Sequence, residues 1–222
     1  MINGEIVSYG NSNNLQGYLS LPDERSGPGL IILQEWWGLV GHIKEVADRY
    51  AKEGYVVLAP DLYDGQTTTE PSEAQKLMME LKIDEASDKI KKGIQYIKEN
   101  YVSNNKTGCI GFCMGGGMAL YMATQNVIDA SVPYYGVLVN SSPDWSKTNC
   151  PVMGHYAEHD KATDSLEELE LELSKNKKDF QFHIYPGTEH AFFNDERSEI
   201  YNKEAAELSY LRTIDFLEKH IK

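Results

Sequence analysis

Positive charge is in short supply. The chain carries 21 lysines and arginines against 34 aspartates and glutamates, a formal net charge of -13 at neutral pH. A field of that sign repels nucleic-acid phosphate and anionic lipid headgroups, so neither is expected as a partner. Part of the excess sits at Asp164, Glu167, Glu168, Glu170 and Glu172, interleaved with Leu166, Leu169 and Leu173 at helical spacing, which reads as a solvated helix face. Long apolar runs are missing too. No stretch approaches membrane-spanning length, and the opening MINGEIVSYG has no basic start followed by an apolar segment. Cysteine is scarce: Cys109, Cys113 and Cys150 are odd in number and lack the spacing of a disulfide scaffold, which suits free thiols in a cytoplasmic, reducing setting. Repeats, low-complexity tracts and Pro/Gly/Ser-rich linkers are also lacking, although the polar stretch from Asp64 to Ser72 reads as a surface loop.

What is present is the material for one core. A length of 222 residues, 41% of them hydrophobic, fits a single domain over 1–222. Eight β-rich runs appear, at Glu5–Tyr9, Leu15–Leu21, Leu30–Leu33, Tyr55–Ala59, Thr107–Gly111, Val132–Val139, Val152–Tyr156 and Phe180–Tyr185. Helical spacing links Ile43, Val46, Ala47, Tyr50 and Ala51, then Ile83, Ile90, Ile94, Ile97 and Tyr101, and finally Tyr210, Ile214, Leu217 and Ile221. Two opening strands followed by alternating strand and helix predict an α/β fold: a mostly parallel sheet flanked by helices, with an antiparallel start. Functional residues then belong beyond the C-terminal ends of the strands.

The segment Thr107-Gly-Cys-Ile-Gly-Phe-Cys113-Met-Gly-Gly-Gly-Met-Ala-Leu is the most informative. A β-like run leads into a cysteine with Gly111 and Gly115 two residues to either side, and a helix-compatible stretch follows. Glycines so placed permit the sharp strand-to-helix turn of a nucleophile elbow. The helix that follows would aim its positive end at the sulfur and favour thiolate, while the Met114 amide would serve an oxyanion. The ordinary alternative is a buried cysteine in a glycine-rich turn.

Two more residues argue against that alternative. Asp160 follows the strand-like Val152–Tyr156 and His190 follows Phe180–Tyr185, so nucleophile, acid and histidine occur in α/β-hydrolase order. His190 could take the Cys113 proton and Asp160 could orient the imidazole. Glu158, His159, Asp164 and Glu189 compete for these roles and rank lower. His42, His155, His183 and His220, like His159, lack comparable loop context and are assigned packing or surface roles. A third segment, Leu30-Ile-Ile-Leu-Gln-Glu35-Trp36-Trp37-Gly38, runs an apolar strand into a carboxylate and two indoles. The Trp36 amide is placed to form the other half of the oxyanion hole with Met114.

Taken together, Gln34-Glu35-Trp36-Trp37-Gly38, Pro60-Asp61-Leu62-Tyr63, Gly111-Phe112-Cys113-Met114-Gly115-Gly116 and His190-Ala191-Phe192-Phe193-Asn194-Asp195 resemble the dienelactone hydrolase (carboxymethylenebutenolidase) family. The resemblance spans most of the chain. It implies an α/β-hydrolase fold, a Cys113–His190–Asp160 triad, and Glu35 as a carboxylate that interacts with the thiol and helps substrate-triggered activation. It also implies an enzyme without cofactor or metal, often monomeric, a dimer being the alternative. Its best-known members hydrolyse a carboxylated lactone held by arginines. Here Asn194 stands four residues after the histidine, where some members have arginine. Arg197 is the remaining candidate anchor, although its acidic neighbours favour a surface position. Trp36, Trp37, Phe192 and Phe193, with Tyr63 or Tyr134, could instead line an apolar pocket for a small neutral ester or lactone.

Two readings compete with a thiol hydrolase. A non-catalytic or regulatory small-molecule-binding domain would keep the cleft but need no complete triad. A metal or redox site on Cys109 and Cys113 is disfavoured, because three residues separate them rather than the two of common zinc and redox motifs.

Overall fold

The computed structural model describes residues 4–10, 14–136, 138 and 143–222. Eight strands form one sheet: β1 (Glu5–Tyr9), β2 (Leu15–Ser20), β3 (Gly27–Leu33), β4 (Val56–Pro60), β5 (Val102–Phe112), β6 (Ala130–Tyr134), β7 (Val152–His159) and β8 (Phe180–Glu189). The order across the sheet is β1-β2-β4-β3-β5-β6-β7-β8. Its contacts gather into two compact units, 1–109 and 110–222, with the boundary inside β5.

In the first unit, β1 pairs antiparallel with β2 and β2 antiparallel with β4, while β3 and β4 run parallel. Leu30, Ile31, Ile32 and Leu33 are fully buried, as expected of a strand covered on both faces. Burial of such a side chain contributes about 1.5–3 kcal/mol. Helix α1 (Gly41–Lys52) turns its apolar stripe of Ile43, Val46, Ala47, Tyr50 and Ala51 inward and packs against β2, β3 and β4. Asp48 on the same helix accepts from Gly4 N–H at 3.2 Å, from the Tyr18 hydroxyl at 3.1 Å and from Ser20 Oγ at 2.7 Å, which fastens the opening hairpin. Helix α2 spans Pro71–Glu80 and α3 Ile83–Asn100, the latter burying Ile90, Ile94 and Ile97. A β-carbon on Gly93 would lie 2.9 Å from Leu58, so glycine is what lets α3 approach β4.

In the second unit, β6, β7 and β8 run parallel. Helix α4 (Met114–Ala123) buries Gly115–Ala123 apart from Tyr121, the pattern of a helix enclosed on all sides. The short α5 (Lys161–Asp164) and α6 (Leu166–Lys175) follow β7, and α7 (Lys203–Ile221) packs against β6 and β7. Asn202 caps α7 by accepting from Ala205 N–H at 3.1 Å. No helix among the described residues is long and apolar enough to cross a membrane.

The sequence expectations need three adjustments. The loop expected over 64–72 ends at Pro71, which opens α2; only Ala74 of that helix is buried, so its periodicity is faint. Strand β6 stops at Tyr134 rather than continuing to Val139, because Tyr135 turns to φ 39; Val137 and Val139 lie outside the described residues. Strands β5 and β8 are longer than their apolar runs, since polar residues extend each of them.

Candidate active site

Cys113 stands between β5 and α4 at φ 54, ψ -116, a conformation rarely adopted outside glycine. Strain of this kind costs on the order of 1–3 kcal/mol and persists only where the surroundings enforce it. Here Cys113 N–H donates to the Tyr134 carbonyl at 3.0 Å, and the Cys113 carbonyl accepts from Gly117 N–H at 3.2 Å. Two glycines admit the turn. A β-carbon on Gly111 would lie 1.8 Å from the Gly115 carbonyl oxygen, and one on Gly116 would lie 2.7 Å from both Gly136 Cα and the Tyr134 carbonyl oxygen. The Gly116 requirement lies outside the spacing that singled out Gly111 and Gly115. The thiol is half-buried, whereas Cys109 and Cys150 are buried. Burial, reinforced by the charge of Asp129, pushes the Cys150 thiol up to about 12.

Asp160 caps α5 with one carboxylate oxygen, accepting from Ala162 N–H at 2.9 Å. Its other oxygen accepts from His190 Nδ1 at 2.7 Å, and its side chain is only 7% exposed. His190 follows β8, and Nε2 is the nitrogen left for the Cys113 thiol. Burial alone would favour neutral imidazole. The hydrogen bonds to Asp160 and Cys113, with the charges of both, outweigh it and raise the His190 pKa to about 10. The Tyr135 ring lies 5.0 Å from the imidazole. The competing acids are elsewhere: Glu158 is exposed and accepts from Gly187 N–H at 2.7 Å, and Asp164 and Glu189 face solvent.

In the first unit, Glu35 is buried just beyond β3, and Trp36 and Trp37 are half-buried with ring centroids 5.0 Å apart at 66°. The Pro60-Asp61-Leu62-Tyr63 turn is held from three sides. Asp61 accepts from Tyr63 N–H at 3.0 Å and Gly65 N–H at 2.6 Å, and Gln34 Oε1 accepts from Leu62 N–H at 3.2 Å. Lys89 donates to the Leu62 carbonyl at 3.1 Å and to Asp64 at 2.6 Å. Gln34, Asp61 and Lys89 carried no assigned role; their signal is a set of hydrogen bonds between positions more than twenty residues apart or within one turn.

The expected pocket residues fare unevenly. Tyr63 is 5% exposed. Tyr134, expected to line a pocket, is a core residue instead: it is fully buried, its ring stacks on Phe112 at 4.8 Å and its hydroxyl bonds Thr213. Phe192 is fully buried between Tyr135 and Tyr185, at 5.6 and 5.0 Å. Arg197 takes the surface alternative, its Nε donating to Glu199 at 3.0 Å. Met114 opens α4, at the positive end of the helix dipole. Among the described residues no group of three His, Cys, Asp or Glu side chains could hold a metal ion.

An eight-stranded, mostly parallel sheet with an aspartate and a histidine hydrogen-bonded after adjacent strands, and a strained residue between strand and helix, defines an α/β-hydrolase. The model of the dienelactone hydrolase family matches residues 15–221, and the chain belongs to that family and is a hydrolase. It is 34% identical to the protein usf of Aquifex pyrophilus, over 98% of this chain and 99% of that one. It is 27% identical to the carboxymethylenebutenolidase of Pseudomonas putida, over 88% and 87%. A solved structure of a dienelactone hydrolase-like promiscuous phosphotriesterase from metagenomic libraries superposes with a TM-score of 0.89, covering 100% and 99% of the two chains at 19% identity, a likeness of fold.

Proposed function

We propose that the chain is a single-domain cysteine hydrolase of small esters or lactones that works through an acyl-enzyme. The observation that carries this reading is His190, held by Asp160 at 2.7 Å and hydrogen-bonded to Cys113 at the strained turn. Cys113 Sγ, as thiolate, attacks the carbonyl carbon, and the Met114 amide at the N-terminus of α4 meets the oxyanion. The tetrahedral adduct collapses as the imidazolium gives its proton to the leaving alkoxide, which in a lactone stays tethered to the acyl group. Neutral His190 then takes a proton from water, hydroxide attacks the thioester, and the acid leaves with the thiolate restored. Acylation removes the sulfur charge that supports the imidazolium, so the base is released at the step that needs it.

Small neutral substrates fit best, because Arg197 is engaged with Glu199 and the net charge is strongly negative. The half-buried indoles of Trp36 and Trp37 would supply apolar surface in the first unit. We read the enzyme as monomeric, cofactor-free and cytoplasmic. The role of Glu35 toward the thiol rests on the family resemblance and on its burial beyond β3. A Glu35→Gln variant with unchanged turnover and unchanged thiol titration rules that role out.

The deciding experiment is a hydrolysis screen over matched neutral and carboxylated lactones, simple esters and thioesters, with Cys113→Ala alongside. Turnover of neutral members, lost in Cys113→Ala together with trapping of a covalent acyl adduct, is the expected result. Substrate binding without turnover would favour a non-catalytic binding domain.

A further inference from the structure

His155, read from sequence as an ordinary packing residue, is fully buried on β7 and both of its ring nitrogens are bonded. Nδ1 lies 2.8 Å from the Tyr185 hydroxyl and Nε2 lies 3.0 Å from Thr213 Oγ1. The protons can be counted. Thr213 gives its single hydroxyl proton to the Ser209 carbonyl at 2.9 Å, so it must accept from Tyr134 at 2.8 Å and from His155 Nε2–H. His155 Nδ1 is then an acceptor and takes the Tyr185 proton. The Tyr185 oxygen in turn accepts from Arg212 at 3.2 Å. The chain runs one way, from the Arg212 guanidinium to the Ser209 carbonyl, and only neutral His155 completes it. Burial, with the charges of His183 and Arg212, holds His155 well below the ordinary histidine range and keeps it neutral.

What this network grips is the nucleophile turn. Tyr134 donates to Thr213 at one end, and its ring stacks on Phe112 at 4.8 Å and packs at a tilt against His155 at 4.5 Å. Its carbonyl receives Cys113 N–H at 3.0 Å, and the His155 carbonyl receives the next amide, Tyr135 N–H, at 2.7 Å. Tyr135 in turn packs on His190. We infer that His155 and Thr213 are positioning residues, which set the Cys113 turn and the His190 ring through Tyr134 and Tyr135. This rests on the thiol-hydrolase reading for its consequence in turnover, but not for its effect on the Cys113–His190 pair.

The test is Thr213→Val, which keeps the side-chain shape and removes the shared acceptor, with Thr213→Ser as the conservative rescue. Tyr134→Phe, which keeps the ring on Phe112 and loses the tie to Thr213, serves if the valine variant does not fold. Ser20→Ala is the control, since it loses a part-buried hydrogen bond to Asp48 in the other unit and should lower the melting temperature with kcat intact. Three quantities are read on folded protein: kcat and KM on a neutral ester, the pH profile of Cys113 alkylation by iodoacetamide, and the His190 titration by NMR. The expected result is a fall of about tenfold in kcat with KM nearly unchanged, a shifted alkylation profile and a lowered His190 midpoint, all restored by serine. Loss of thermal stability alone, with the alkylation profile and His190 midpoint unmoved, overturns the inference. Wild-type protein that turns over no ester overturns the function instead, while alkylation and titration still judge the network.

Discussion

Replacing Gly111 with alanine should disable the enzyme through the backbone. The added β-carbon would sit 1.8 Å from the Gly115 carbonyl oxygen, 2.3 Å from its carbonyl carbon and 2.8 Å from Gly116 nitrogen, all main-chain atoms that cannot swing aside. Opening the closest of these from 1.8 Å to the 3.0 Å floor of real contacts requires the first turn of α4 to recede by 1.2 Å. That turn begins with Met114 and is bonded to the Cys113 carbonyl through Gly117 N–H. A displacement of about 1 Å at a reacting group costs on the order of 100-fold in rate. Overpacking a core contact costs about 1–3 kcal/mol, and in a chain of this length each kcal/mol lowers the melting temperature by roughly 2–4 °C.

The assay is kcat on an activated ester, normalised to titrated thiol, together with thermal unfolding. Gly54→Ala provides the comparison. Gly54 is at φ +94 with nothing within 4 Å of its would-be β-carbon, so it carries conformational strain without a clash. That strain costs about 1–2 kcal/mol and should leave kcat unchanged. Gly111→Ala enzyme with kcat within twofold of wild type and a melting temperature no lower than that of Gly54→Ala would refute the steric account of the elbow.

Three further outcomes are expected. Asp160→Asn keeps a side chain able to cap α5 while losing the charge beside His190, so it should fold normally and lose about 10³–10⁴ in kcat, measured by steady-state kinetics with circular dichroism as the check on folding. Because His190 is raised from 6.5 to about 10 in the folded protein, its contribution to stability is complete below pH 6.5 and is lost as pH rises through 10; its side chain is 41% exposed, so solvent screening reduces the amount, and pH-dependent unfolding of wild type against His190→Gln should show the decline only in wild type. Arg197→Ala should change kcat/KM for a neutral lactone and for its carboxylated partner equally and by less than about twofold, as expected for removal of an exposed ion pair, whereas selective loss of the anionic substrate would make Arg197 its anchor.

What could be read before the fold was known divides along a physical line. The elbow is local: the demand for glycine around Cys113 arises within a few residues of chain, so its spacing is visible in the sequence. Asp160 and His190 are legible for a related reason, since each follows the apolar run of its own strand, and parallel strands bring their following loops to one end of the sheet. Helix α2 is nearly silent because solvent surrounds it, and a helix that buries only Ala74 leaves no stripe.

Aromatic residues on interior strands are the harder case. Period-two alternation separates core from solvent only where one face of the sheet is wet, and β6 is buried at every position. Tyr134 and Tyr135 are therefore equivalent in the sequence. Their destinations are set by partners far along the chain: Thr213 lies 79 residues beyond Tyr134 and anchors its hydroxyl in the core, while Tyr135, turned to φ 39, packs its ring against His190. The same holds for His155, whose neutrality depends on Tyr185 and Thr213, 30 and 58 residues away. A histidine inside an apolar strand reads as packing because nothing nearby in sequence bonds it. Once α7 delivers Thr213 and Arg212, that residue becomes the hinge of a directional hydrogen-bond chain from Arg212 to the Ser209 carbonyl, which Tyr134 of β6 joins through Thr213. The proposed triad residues are thus marked by features close to them in the chain, and the residues packed around them by long-range pairing, which only the assembled sheet brings about.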